Sequence, residues 1–194
     1  MKFTIFFLAA GIILLSVAIV FDINYFNYKR PIPYSQFRKI SFYDFKAFKR
    51  PDITLNGFKE FAYIKTNRRI HYLNNGNVEI TTYFHPSRSY VFAQNIRDLD
   101  LLTHELYHFH ISEYYTRLLR KEILGNPKNI SDNMIIRLNK KYYEFENEMQ
   151  LNYDEDTYHS YVMQEQKKWE IKIDSLLQSL ESFSNPLIHI RSKE

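Results

Sequence analysis

The hydrophobic period of this chain changes once, near Asp98, and that change constrains the fold more than any other feature. Before it, FAYIKTNRRIHYL (61–73) and NVEITTYFHP (77–86) are β-branched and aromatic, and Asn-Asn-Gly-Asn at 74–77 between them is a hairpin signal. Val78, Ile80 and Thr82 alternate with Glu79, Thr81 and Tyr83, as in a half-buried strand. After it, apolar residues recur at helical spacing, as at Leu99, Leu102, Leu106 and Phe109, until Gly125-Asn126-Pro127 stops the run. A second helix is expected from Ser131, a good N-cap, to about Leu151, and NYDEDTYH (152–159) reads as a polar break. A third covers about 160–183, with Trp169, Ile173, Leu176, Leu177 and Leu180 on one stripe. The order predicts an α+β domain over residues 41–194, a small antiparallel sheet followed by three helices.

The N-terminus is of another kind. Phe3 to Phe21 carries no charge, and 19 residues at about 1.5 Å each match a hydrocarbon core. Residues 1–22 are therefore expected to be a signal anchor, with a cleaved signal peptide as the alternative because Ser16-Val17-Ala18 is a small-x-small site. Residues 23–40, with Pro31 and Pro33, read as a juxtamembrane linker. The flanking charges (Lys2 before; Lys29, Arg30, Arg38 and Lys39 after) oppose export, yet long domains translocate largely regardless of charge. The expected location is the cell membrane with the domain extracytoplasmic, or secreted after cleavage. With no cysteine, disulfides and thiolate zinc sites are excluded. The net charge of +4 is spread among acidic residues, so no nucleic-acid partner is expected.

His104-Glu105-Leu106-Tyr107-His108 is an H-E-x-x-H pentapeptide within the first expected helix. Positions four apart differ by about 40° around a helix, so both imidazoles face one side and suit one zinc ion. Glu105 beside them is placed to act on a water as general base. His110 projects roughly 120° from His104, as a surface residue or a support for the ligands, and Glu113 points about 180° away. The third ligand must come from elsewhere: His159, Glu146, Glu148, Asp154 or Glu155. His71, His85 and His189 have no supporting context.

LLTHELYHFHISEYYTRLLRKEI, the later YDEDTYH and the helix around Trp169 resemble a bacterial domain-of-unknown-function family described as predicted secreted zinc-dependent proteases. Its pattern, H-E-Q-x-H-F-D-I-x-E, then A-R-x-L-R and Y-D-x-x-T-x-H-G, falls on His104, Glu105, His108, Phe109, Ile111, Glu113, Arg117, Leu119 and Arg120, then Tyr153, Asp154, Thr157 and His159, with Gln166 and Trp169 downstream. FYDFKAF (42–48) and SRSYVF (87–92) resemble its upstream segments, so about residues 41–178 are covered. Leu106, His110, Tyr90 and Ser160 depart from it, the last standing where the family has Gly. The resemblance implies a zincin-like metallopeptidase and favours His159 as third ligand.

The expected function is a membrane-tethered or secreted zinc metallopeptidase acting on a peptide or protein substrate. His104, His108 and His159 would hold zinc, Glu105 would serve as general base, and Tyr153 would donate to the developing oxyanion, with a packed core Tyr as its competing role. The strand at 77–84 is expected to pair with an extended peptide. A zinc-stabilised, non-catalytic scaffold at the cell envelope is the alternative, and a fourth protein ligand such as Asp154 or Glu155 would favour it.

Overall fold

A computed structural model describes residues 7, 11–16, 28–47, 54–55, 58–59, 61–73, 76–92, 95–125 and 130–190. It is an α+β arrangement of a small antiparallel sheet and three long helices. Of the apolar N-terminal segment, residue 7 and residues 11–16 are helical, and the remainder lies outside the described residues. Among the described residues no helix is long and apolar enough to cross a membrane.

The sheet is centred on β6 (Val78–Phe84), which pairs along its length with β5 (Thr66–Tyr72). Its other edge takes β1 (Ile32–Pro33) at one end and β8 (Leu187–Ile188) at the other. Val78, Ile80, Thr82 and Phe84 turn inward and are buried, the alternation the sequence predicts. Part of the segment expected as a linker enters the fold: β1 and the 3-10 turn Tyr34–Lys39 lead to buried Ile40. The strand expected over 61–73 is two strands. β4 (Ala62–Tyr63) leaves the main sheet to pair with β7 (Tyr90–Val91), and β2 (Thr54–Leu55) pairs with β3 (Phe58–Lys59). The switch falls at Lys65, whose N–H donates to Ser89 Oγ and whose carbonyl accepts from the His85 N–H, both at 2.8 Å.

Helix α1 (Leu99–Gly125) starts where the Asp98 carboxylate accepts the Leu101 N–H at 2.9 Å, an N-cap. Of the expected stripe, Phe109 is fully buried and Leu102 and Leu106 pack against the same cluster, while Leu99 is 73% exposed. Leu101, Ile111, Leu119 and Ile123 are buried as well, and the buried residues of the helix fall in three separate apolar clusters. A helix covered by the sheet and by two other helices has no single apolar stripe. Arg120 locks it to the sheet, donating from Nε and Nη2 to the Ile80 carbonyl at 2.9 and 2.7 Å. Glu113 balances that charge, bound to Arg120 at 2.9 Å and Arg117 at 3.1 Å, well away from the H-E-x-x-H face.

Helix α2 (Asp132–Thr157) begins at Ser131, whose hydroxyl accepts the Met134 N–H. It continues past Leu151 through most of the expected polar break. Tyr153 and Thr157 in that stretch are fully buried, and their packing outweighs the low helix propensity of Asn and Asp. Tyr158, His159 and Ser160, all with positive φ, end it. Helix α3 (Met163–Ser179) buries Trp169, Ile173 and Leu177. The Trp169 indole donates to Asp156 at 2.9 Å and fixes the α2–α3 turn.

Candidate metal centre

His104 and His108 lie one turn apart on α1, their rings 4.9 Å apart and nearly perpendicular. Their Nε2 atoms are 3.2 Å from each other. The last turn of α2 brings Asp154 to them, and the left-handed turn after it brings His159. Asp154 Oδ1 lies 3.2 Å from His104 Nε2, 2.9 Å from His108 Nε2 and 3.4 Å from His159 Nδ1. The edge of a tetrahedron of ligands about 2.05 Å from a zinc ion is roughly 3.3 Å, so these separations fit donors sharing one ion. His104, Asp154 and His159 form a group that could hold a metal ion; His108, an expected ligand, is not part of that group, and Asp154 stands in it instead, with His108 Nε2 against His104 and Asp154.

Several side chains aim these donors. Gln150, one turn before Asp154 on α2, takes the His108 Nδ1–H on its Oε1 at 2.5 Å. Its amide donates to the His108 carbonyl at 2.9 Å, so the carboxamide fixes both ring and backbone and leaves Nε2 toward the site. Tyr153 stacks on His104, 4.6 Å between centroids at 18°, and is completely buried. Its hydroxyl points to the His104 carbonyl at 3.5 Å and not into the cleft, which corrects the expectation of an oxyanion donor: Tyr153 packs and orients His104.

The charges follow from burial and this contact set. Burial pushes His104 down to about 4, against the pull of its Asp154 hydrogen bond. Burial also lowers His108, but the Asp154 charge and hydrogen bond and the Glu105 charge outweigh it and raise this imidazole to about 9. Asp154 is buried too, yet the three histidines hold its carboxyl well below the usual carboxylate range. Its anionic oxygen is thus available to a cation.

The site forms one wall of a cleft of about 200 Å³ between α1, α2 and the segment 61–66. Glu105 is buried and lines this cleft beside His104. On the facing wall the Phe61 carbonyl accepts the Phe92 N–H at 2.8 Å, and Tyr63 pairs with Tyr90. Hydrogen bonding alternates along an antiparallel strand, so the main-chain groups of Ala62 and Ile64 turn away from β7, toward the cleft side. The strand at 77–84, expected to take an extended peptide, is itself flanked by β5 on one side and by β1 and β8 on the other.

Among the other candidates, Glu146 is committed to Arg68 at 2.7 Å in a largely buried pair, and Glu148 is exposed and lies away from the cleft. Glu155 is exposed. His110 is not a surface residue: it is buried, shares a hydrogen bond with the Tyr34 hydroxyl at 3.1 Å and lies against Phe37. Gln150 lies inside the helix expected from Ser131 to about Leu151, yet sequence reasoning misses it because only His, Asp and Glu were considered as partners of the paired imidazoles. With the helix extended, Glu146, Gln150 and Asp154 recur every four residues on the face that meets α1. Compared with protein-family models, curated proteins and solved structures, the chain matches none.

Proposed function

We propose that this protein is a zinc metallopeptidase of zincin-like architecture, carried to the cell membrane or secreted by its apolar N-terminal segment. The observation that supports this most is the shared cleft wall of His104, His108, Asp154 and His159, with Glu105 beside them and a strand edge opposite. Imidazole and carboxylate donors without thiolate suit zinc. When bound, zinc supplies Lewis acidity and lowers the pKa of a water molecule. Glu105 accepts a proton from the attacking water and returns it to the leaving amine. Ala62 and Ile64 hold the peptide by their main chain, and the Gln150 clamp keeps His108 oriented throughout.

Metal analysis and peptide hydrolysis on the purified chain test this together. About one zinc per chain is expected, kept by Glu105→Gln and lost in His108→Ala and His159→Ala, with hydrolysis lost in all three. Full hydrolysis by Glu105→Gln would refute the mechanism. A specific observation favours a second reading: Asp154 sits within 3.4 Å of three histidine donors, and a fourth protein ligand closes a structural site. A parent chain that holds zinc, hydrolyses nothing, and loses both zinc and stability in Asp154→Ala would establish that scaffold role.

A further inference from the structure

The β4–β7 ribbon has two unlike faces. Opposed residues of an antiparallel pair share a face, so Phe61, Tyr63, Tyr90 and Phe92 lie together while Ala62 faces the core. Their rings form a continuous array. Tyr63 stacks on Tyr90 at 5.9 Å, Phe61 meets Phe92 at 6.2 Å, and Tyr90 meets Phe92 at 6.1 Å. Tyr161, two residues beyond His159 and 58% exposed, adds a fifth ring 5.9 Å from Phe61. Phe61 and Tyr63 line the cleft that holds the metal donors, and Tyr63 stays 37% exposed. The array therefore continues the cleft wall onto the surface.

A strand added along Ala62 and Ile64 would extend this ribbon, and its own side chains would alternate between the same two faces. One set would point toward α1 and the metal donors. The other set would lie in line with Phe61 and Tyr63, where rings reward aromatic or large aliphatic partners. We propose that the aromatic face of the β4–β7 ribbon is a specificity surface, selecting extended peptides with aromatic or large aliphatic side chains at every second position. The inference rests on the peptidase reading of the cleft for its location and, for its register, on the main-chain groups of Ala62 and Ile64 that turn away from β7.

The test separates binding from hydrolysis by using zinc-loaded Glu105→Gln full-length chain and fluorescence anisotropy. The probes are a labelled Thr/Ala peptide with Phe at alternate positions and its counterpart with Ser there. The Phe peptide should bind at least about 10-fold tighter. That advantage should vanish in Tyr63→Ser and Tyr90→Ser and survive in Tyr63→Phe. Equal affinity for the two peptides, or binding of neither, overturns the proposal. So does an N-acetylhexosamine oligomer that binds through the same rings while the Phe peptide gains nothing, since it would make the face a glycan platform. If the Phe peptide binds as expected but the parent chain cleaves no peptide, the specificity surface stands and the peptidase reading fails.

Discussion

Replacing Ser160 by glycine should make the protein more stable, although no side-chain contact is gained. Tyr158, His159 and Ser160 stand at φ of 47°, 50° and 76°, three consecutive non-glycine residues in left-handed conformation. For an L-residue this backbone costs about 1–2 kcal/mol, because Cβ crowds the neighbouring carbonyl. The turn persists because both its ends are held: Thr157 is fully buried before it, and the Val162 N–H after it donates to the Thr157 carbonyl at 2.9 Å. Glycine removes the penalty at 160 but raises the unfolded chain's entropy by about 0.5–1 kcal/mol. The net gain is about 0.5–1 kcal/mol, or roughly 1–4 °C in Tm for a domain of this size. The Ser160 hydroxyl makes no hydrogen bond with any described residue, so none is lost. Urea titration of parent, Ser160→Gly and Ser160→Ala would measure this, and alanine, which keeps Cβ, should give no gain. Equal midpoints for glycine and alanine would refute the strain argument. Zinc affinity should be unchanged or tighter in Ser160→Gly, since His159 keeps its place.

Three further outcomes follow from the contacts. Gln150→Leu should leave the fold intact yet weaken zinc binding about 10–100-fold by competition with a chelating dye, because the His108 ring loses its anchor. Glu146→Ala should keep one zinc per chain but lower unfolding free energy by about 3 kcal/mol, leaving Arg68 buried without its carboxylate; loss of zinc there would return Glu146 to the ligand set. His85 is pushed down to about 4 by burial and by Arg88, Arg69 and Lys65. Its folded pKa lies below its unfolded one, so the unfolded chain binds the extra proton and stability falls as pH drops from about 6.5 to 4, by about 1 kcal/mol for this partly solvated ring. His85→Gln should flatten that part of the stability curve, and an unchanged slope would sink the assignment.

Much of the candidate site is legible in one dimension because a helix converts spacing into direction. His104 and His108 face one way, and Glu113 faces another, simply from the angle per residue. The strand alternation of β6 and the stripe of α3 are legible for the same reason, each having one covered face. The Ser131 cap and the stop at Gly125 are local chemistry and are readable locally.

What the sequence by itself determined was therefore the α+β order of elements, the paired imidazoles and the glutamate beside them. Only tertiary packing decided the rest. The core drew Tyr153 and Thr157 in and carried α2 through most of its polar stretch to Thr157, which set Asp154 one turn beyond Gln150 against α1. The end of that helix, not the composition of 152–159, aimed His159 at the same oxygen. The pairing of β4 with β7 chose which strand edge borders the cleft, while β6 lost both its edges to neighbours. Such choices depend on which surfaces find partners across long separations in the chain, and a local period carries no information about those partners.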